Sequence, residues 1–169
     1  MSFHRICVYP EPVLAREADI IVNIDEQIHQ LATDMVETMY TASGIGLAAP
    51  QVGVSQRLIV VDPDSKKEEG NLITLINPVI VKGEGHNAID EGCLSVPEFT
   101  AEVPRYAEVL VRGVTLDEKE VEFAADGIFA IVLQHEIDHL NGILFIDRIS
   151  SLKRDIYLRK LKKGKRQQT

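Results

Sequence analysis

GIFAIVLQHEIDHL, residues 127–140, is the stretch on which the fold and the chemistry both turn. Phe129, Val132, Leu133, Ile137 and Leu140 recur at steps of three and four, the period of one helical face. Asp126 stands where a cap belongs, and Asn141-Gly142 is a stop signal. The apolar face is broad, so the spacing predicts a central, buried helix. Inside it lies His135-Glu136-Ile137-Asp138-His139, an H-E-x-x-H pattern. Each helical residue turns ~100°, so four steps bring a side chain back to within ~40° of its start. His135 and His139 therefore point the same way and can share one metal ion. Glu136 falls to the side, where a base that takes a proton from an attacking water belongs. The bland alternative is a pair of core histidines satisfied by neighbours. Burying two imidazoles and an acid is costly without a partner, and that cost favours a metal.

Working outward, Ile24, Ile28, Leu31, Met35 and Met39 share a face and predict a helix over Ile24–Tyr40. Asn23 with Glu26 suggests a capping box, and Ser43-Gly44 a stop. The middle of the chain reads as short strands: Arg57–Asp62, Leu72–Ile76 and Val79–Val81 on either side of Asn77-Pro78, then stretches around Val109–Val111 and Val121–Phe123. Turn signals at Gly83, Gly85, Gly113 and Asp117 separate them. A last helix is expected over Ser151–Lys162, with Leu152, Ile156 and Leu161 inward. Together these predict an α+β fold, with mixed, mainly antiparallel short sheets around the central helix and helices near both ends. The 169 residues suit one domain.

Two histidines leave a divalent metal short of ligands. A catalytic site typically has three protein ligands and an open position. Downstream of His139 there is no further histidine or glutamate, only Asp147 and Asp155 as acids. The third ligand should come from upstream. Cys93 is the best candidate, in Asp90-Glu91-Gly92-Cys93-Leu94-Ser95, where Gly92 lets backbone pass close to a helix. Cys7 is the competitor. Three rival readings remain at this point: a zinc peptidase cutting internal peptide bonds, a cysteine hydrolase pairing Cys93 with His135, and a closed structural metal site.

The net charge of −8 argues against DNA or other broad phosphate binding. The charge is nevertheless uneven. Residues 153–169 carry eight bases against Asp155, a net +7, which leaves the rest of the chain at −15. Two cysteines do not make a disulfide scaffold, and a reducing compartment is expected. The first residues, MSFHRICVYPEP, lack the apolar run of a secretory signal, and no stretch approaches the ~20 apolar residues of a membrane span. A cytoplasmic protein without membrane contact is the expectation.

Three segments, in order, resemble the signatures of peptide deformylases. Gly44-Ile45-Gly46-Leu47-Ala48-Ala49-Pro50-Gln51-Val52-Gly53 is similar to the first. Glu91-Gly92-Cys93-Leu94-Ser95 is similar to the second, and Gln134-His135-Glu136-Ile137-Asp138-His139-Leu140 to the third. The likeness extends over nearly the whole chain. It implies a bacterial-type enzyme that hydrolyses the formyl group from N-formyl-methionyl peptides. It implies Cys93, His135 and His139 as ligands of one divalent metal, ferrous iron by preference, with zinc or nickel able to take its place. It implies Glu136 as general acid and base, Gln51 and the Leu94 backbone N–H as oxyanion donors, and Gly46 as a backbone contact to substrate. Ile45, Glu91, Ile128, Ile131 and Val132 would line the methionine pocket. The basic tail, about residues 151–169, has a bland reading as a solvated helix face, favoured on general grounds, and by the resemblance a functional one as a docking segment for the ribosome. Phe99-Thr100 stands where some relatives carry an arginine, which puts peptide-backbone contacts there in question.

Overall fold

In the computed structural model, residues 3–66 and 70–167 are described. The element order is α1 (Glu26–Thr41), β1 (Gly46–Ala48), β2 (Leu58–Val61), β3 (Ile73–Glu84), β4 (Asn87–Cys93), β5 (Val96–Arg105), β6 (Glu108–Val114), β7 (Glu120–Asp126), α2 (Gly127–Leu140) and α3 (Ser151–Gln167). β1, β2, β3, β6 and β7 form one sheet in that spatial order, and β4 pairs with β5 in a separate hairpin. Every pairing between these strands is antiparallel, and one isolated parallel bridge joins Asp19 to Gln56.

β2 explains why two helices flank the larger sheet. Its four residues are fully buried, and alternate ones face opposite sides. Ile59 and Val61 pack with Leu133, Ile137 and Leu140 of α2. Leu58 and Val60 pack with Leu31, Met35 and Met39 of α1. A continuous apolar run is what a strand covered on both faces requires. A third cluster joins Val96, Ala101 and Val103 of β5 to Phe145, Ile146 and Tyr157, so the hairpin is clamped by the chain after α2.

α2 begins and ends where the sequence places it. Its C-terminus is held from two sides: Arg57 donates to the Leu140 carbonyl at 3.0 Å and to Asn141 Oδ1 at 3.1 Å, and the Ala18 N–H donates to the same carbonyl at 2.8 Å. A buried cation on the last carbonyls also complements the helix dipole. Gln134 grips the β5–β6 connection: it accepts from the Tyr106 N–H and donates to the Tyr106 carbonyl, both at 3.0 Å.

Several expectations need correction. α1 is capped by Asp25, which accepts from the Ile28 N–H at 3.1 Å, and not by Asn23; Glu26 is then the first helical residue, too early for a capping box. Its C-terminus closes as a Schellman turn, with Gly44 N–H to the Met39 carbonyl, Ser43 N–H to Tyr40, and Ser43 at φ 55°. The two runs around Asn77-Pro78 are one strand. Asn77 takes φ 50°, shifts the register, and ties its amide to both backbone groups of Ile21 at 2.8 and 3.0 Å. Gly83 and Gly113 lie within strands, not between them; a Cβ at Gly83 would stand 2.3 Å from the Tyr106 ring. α3 runs on to Gln167 and faces inward with Tyr157, partly helped by Leu158 and Leu161, while Leu152 and Ile156 are exposed. Residues 168–169 of the expected tail lie outside the described residues. No described helix is long and apolar enough to cross a membrane.

Candidate metal centre and catalytic cleft

His135 and His139 leave α2 one turn apart, with ring centroids 5.0 Å from each other. β4 ends at Cys93. The β4–β5 register slips between Glu91 and Cys93, and such an irregularity re-aims a side chain. Cys93 Sγ comes to 3.3 Å from His139 Nε2. One ligand atom from each of Cys93, His135 and His139 falls within a common 4.8 Å, and this is the one such cluster among the described residues. Cys7 is not in it. Its N–H donates to the Gln51 carbonyl at 2.7 Å, and its thiol sits beside Gly53.

The three donors suit a divalent metal. They are a thiol and two imidazoles, held by different elements, with a cleft on the remaining side. At His139 the electrostatics agree. Burial, with His135 and Arg105 nearby, holds the His139 ring well below its ordinary pKa, so it stays neutral, the form that ligates. Burial also acts against a charged His135, but its hydrogen bonds with Cys93 and Glu91 outweigh this and raise it well above the ordinary value. The two shifts have opposite signs because hydrogen bonds offset burial at His135, whereas at His139 burial acts together with the charges of His135 and Arg105.

His135 is oriented by a carboxylate. Its Nδ1 lies 2.9 Å from Glu91 Oε2, which leaves Nε2 for a metal. Glu91 in turn receives Arg105 Nε at 2.8 Å and its Nη2 at 2.9 Å. Glu91 borders the cleft, but its carboxylate is committed to this network.

Glu136 is 4 % exposed, and its Oε2 has no hydrogen-bond partner among the described residues. Burial raises its pKa to about 7; Glu91 and Asp138 push the same way, against His135 and Arg105. A carboxyl poised there can both take and return a proton near neutrality. Gly46 makes room for it: a Cβ at that position would lie 2.5 Å from Glu136 Oε1 and 2.8 Å from Val132 Cγ1.

Gln51 sits in the short 3-10 turn after β1, 2 % exposed. Its Oε1 accepts from the Ala48 N–H at 2.9 Å, which fixes the amide the right way round. Its Nε2 then points at Ser95 Oγ, 3.2 Å away, and Cys93 Sγ, 3.6 Å away. Leu94 borders the cleft beside Gly44.

The cleft measures ≈ 710 Å³. Ile45, Gly46, Ile128, Ile131, Val132, His135 and Glu136 line it, together with Cys93, Leu94 and Phe99 from the hairpin. All twelve residues singled out in the sequence border the cleft or belong to the metal cluster.

A family model for polypeptide deformylases matches residues 3–155. The chain belongs to the polypeptide deformylase family. Of the relatives, the peptide deformylase of Syntrophobacter fumaroxidans is 54 % identical over 169 residues, 100 % of this chain and 99 % of that one. The enzyme of Thermodesulfovibrio yellowstonii is 49 % identical over 98 % of this chain and 100 % of its own. Among solved structures, the Legionella pneumophila deformylase superposes with a TM-score of 0.91 at 44 % identity, covering 99 % of this chain and 98 % of that one. The Synechococcus elongatus deformylase, in complex with actinonin, gives 0.89 at 38 % identity, covering 94 % and 88 %. As a deformylase, the chain is a metal-dependent hydrolase that removes the N-formyl group from nascent polypeptides.

Sequence reasoning passed over Arg105 and Asp138. Arg105 donates to Asp138 Oδ2 at 2.6 Å as well as to Glu91. The signal was present: Asp138 is an acid on a helix otherwise read as buried, and a buried carboxylate needs a cationic partner.

Proposed function

We propose that this chain performs deformylation with Cys93, His135 and His139 as ligands of one divalent ion, Glu136 as proton carrier, and Gln51 with the Leu94 N–H as oxyanion donors. The observation that carries the reading is the cluster of three ligand atoms at a cleft also lined by a buried carboxylate whose Oε2 has no hydrogen-bond partner among the described residues. The ion supplies Lewis acidity and brings the pKa of water from ~15.7 toward ~7. The ligand set suits zinc, iron and nickel alike. Resemblance to the family favours ferrous iron.

Glu136 takes the proton of the attacking water on its free Oε2, and later returns it to the departing amine. The Gln51 Nε2 donates to the oxygen that becomes negative. One such donor typically contributes ~10²–10³ in rate. The fixed orientation of its amide means little reorganisation is needed when the charge develops. Gly46 offers backbone to an extended peptide while leaving Glu136 its room. Ile45, Ile128, Ile131 and Val132 receive the methionine side chain, whose full burial is worth roughly 1.5–3 kcal/mol. Glu91 serves the pocket indirectly, by holding His135.

The whole chain is read as one catalytic domain ending in a basic helix. That helix supports docking to ribosomal RNA, an attraction that salt would screen, and a cytoplasmic site of action follows. The test compares formyl-Met-Ala-Ser with the same peptide unblocked, and with a longer peptide blocked by acetyl. Release of formate from the first is expected, with the other two peptides left intact. Cleavage of an internal peptide bond, or turnover that survives removal of metal by a chelator, would overturn the reading in favour of a peptidase or a cysteine hydrolase.

A further inference from the structure

Asp138 lies between the two histidines in sequence, but its carboxylate is turned to two guanidiniums. Arg105 reaches Oδ2 at 2.6 Å. Arg148 reaches Oδ2 with Nε at 2.5 Å and Oδ1 with Nη2 at 2.7 Å. Arg105 then forks onto Glu91, and Glu91 holds His135 Nδ1. Five side chains thus stand in line: Arg148, Asp138, Arg105, Glu91, His135. The first four balance, two carboxylates against two guanidiniums. Arg105 and Glu91 are 2 % and 4 % exposed, and Arg148 is 41 % exposed. The charged row reaches a small pocket of ≈ 230 Å³, bordered by Arg105, Asp138, Arg148, His86 and Tyr106.

We propose that Arg148 is a positioning residue for the metal ligand His135, acting through Asp138, Arg105 and Glu91. The inference rests on the metal site proposed above. An exposed ion pair would contribute little, but this one is bidentate and its partner carboxylate is buried. Without Arg148, Asp138 keeps only Arg105 among the described residues. Arg105 is then the one guanidinium shared by two buried carboxylates and is drawn toward Asp138. Its fork on Glu91 loosens, and the His135 ring loses the restraint that fixes its ligating nitrogen. Partners behind a metal ligand typically affect metal affinity 10–100-fold.

The test is the rate at which zinc-loaded protein gives up its ion to a chelator, well below the unfolding temperature. Arg148→Met should lose zinc about tenfold faster than the unaltered chain, the low end for such partners because it acts through three others. Arg148→Lys, which keeps the charge but not the fork, should fall between. Arg112→Met, which removes a surface pair with Glu122, should release zinc at the unaltered rate. A merely structural Arg148 would lower the unfolding midpoint and leave the release rate where it was; that result overturns the proposal. A chain that takes up no zinc before any substitution overturns the metal site itself, and the proposal with it.

Discussion

Glu136→Gln will keep its metal and lose nearly all turnover. The substitution preserves shape, so the side chain still fits in the room Gly46 leaves, where a Cβ would lie 2.5 Å from Glu136 Oε1. It removes a group that is buried, without a partner on Oε2, and raised to about 7. An amide cannot accept and return the proton. General acid–base catalysis is typically worth ~10²–10⁴ in rate, and a fall in kcat of that size is expected. Because no protein partner is left stranded, thermal stability should not drop. Metal analysis and formate release on the same sample check both halves. A metal-free variant would make Glu136 structural, and a variant within tenfold of normal turnover would remove it from the mechanism.

Cys93→Ala should empty the site. Two imidazoles on one helix hold a divalent ion less firmly than three donors from two elements. Complete zinc sites contribute ~10–16 kcal/mol at neutral pH, so one donor of three is worth several kcal/mol, on the order of 10²-fold or more in affinity. The fold should survive, because the β4–β5 hairpin rests on Val96, Ala101 and Val103 against Phe145 and Ile146. Desalted protein should carry little metal and show no formate release. Cys7→Ala is the matched control and should stay loaded, since Cys7 lies outside the cluster. Full loading of the Cys93 variant would remove the sulfur from the site.

The helices that carry the chemistry were legible because their signals are local. The H-E-x-x-H spacing, the apolar face of α2 and its stop at Asn141-Gly142 lie within fifteen residues of one another. β2 was legible as an apolar run, although what covers its two faces was not. The β4–β5 hairpin was missed as paired strands, since Asn87–Cys93 shows neither an apolar run nor a clean alternation and its pairing partner is set by register. The inward face of α3 was misjudged because its packing is decided by Tyr157 meeting Phe99 at 4.9 Å, a contact between distant segments. The same limit hid Arg105 and Arg148. A charged residue in a strand or turn reads as a solvated one until the fold brings a buried carboxylate to it.

X-ray absorption at the zinc edge of fully loaded protein tests the central claim most directly. One sulfur at ~2.3 Å together with nitrogen or oxygen neighbours at ~2.0–2.1 Å is the predicted shell. A shell of nitrogen and oxygen alone, at full loading, would contradict it.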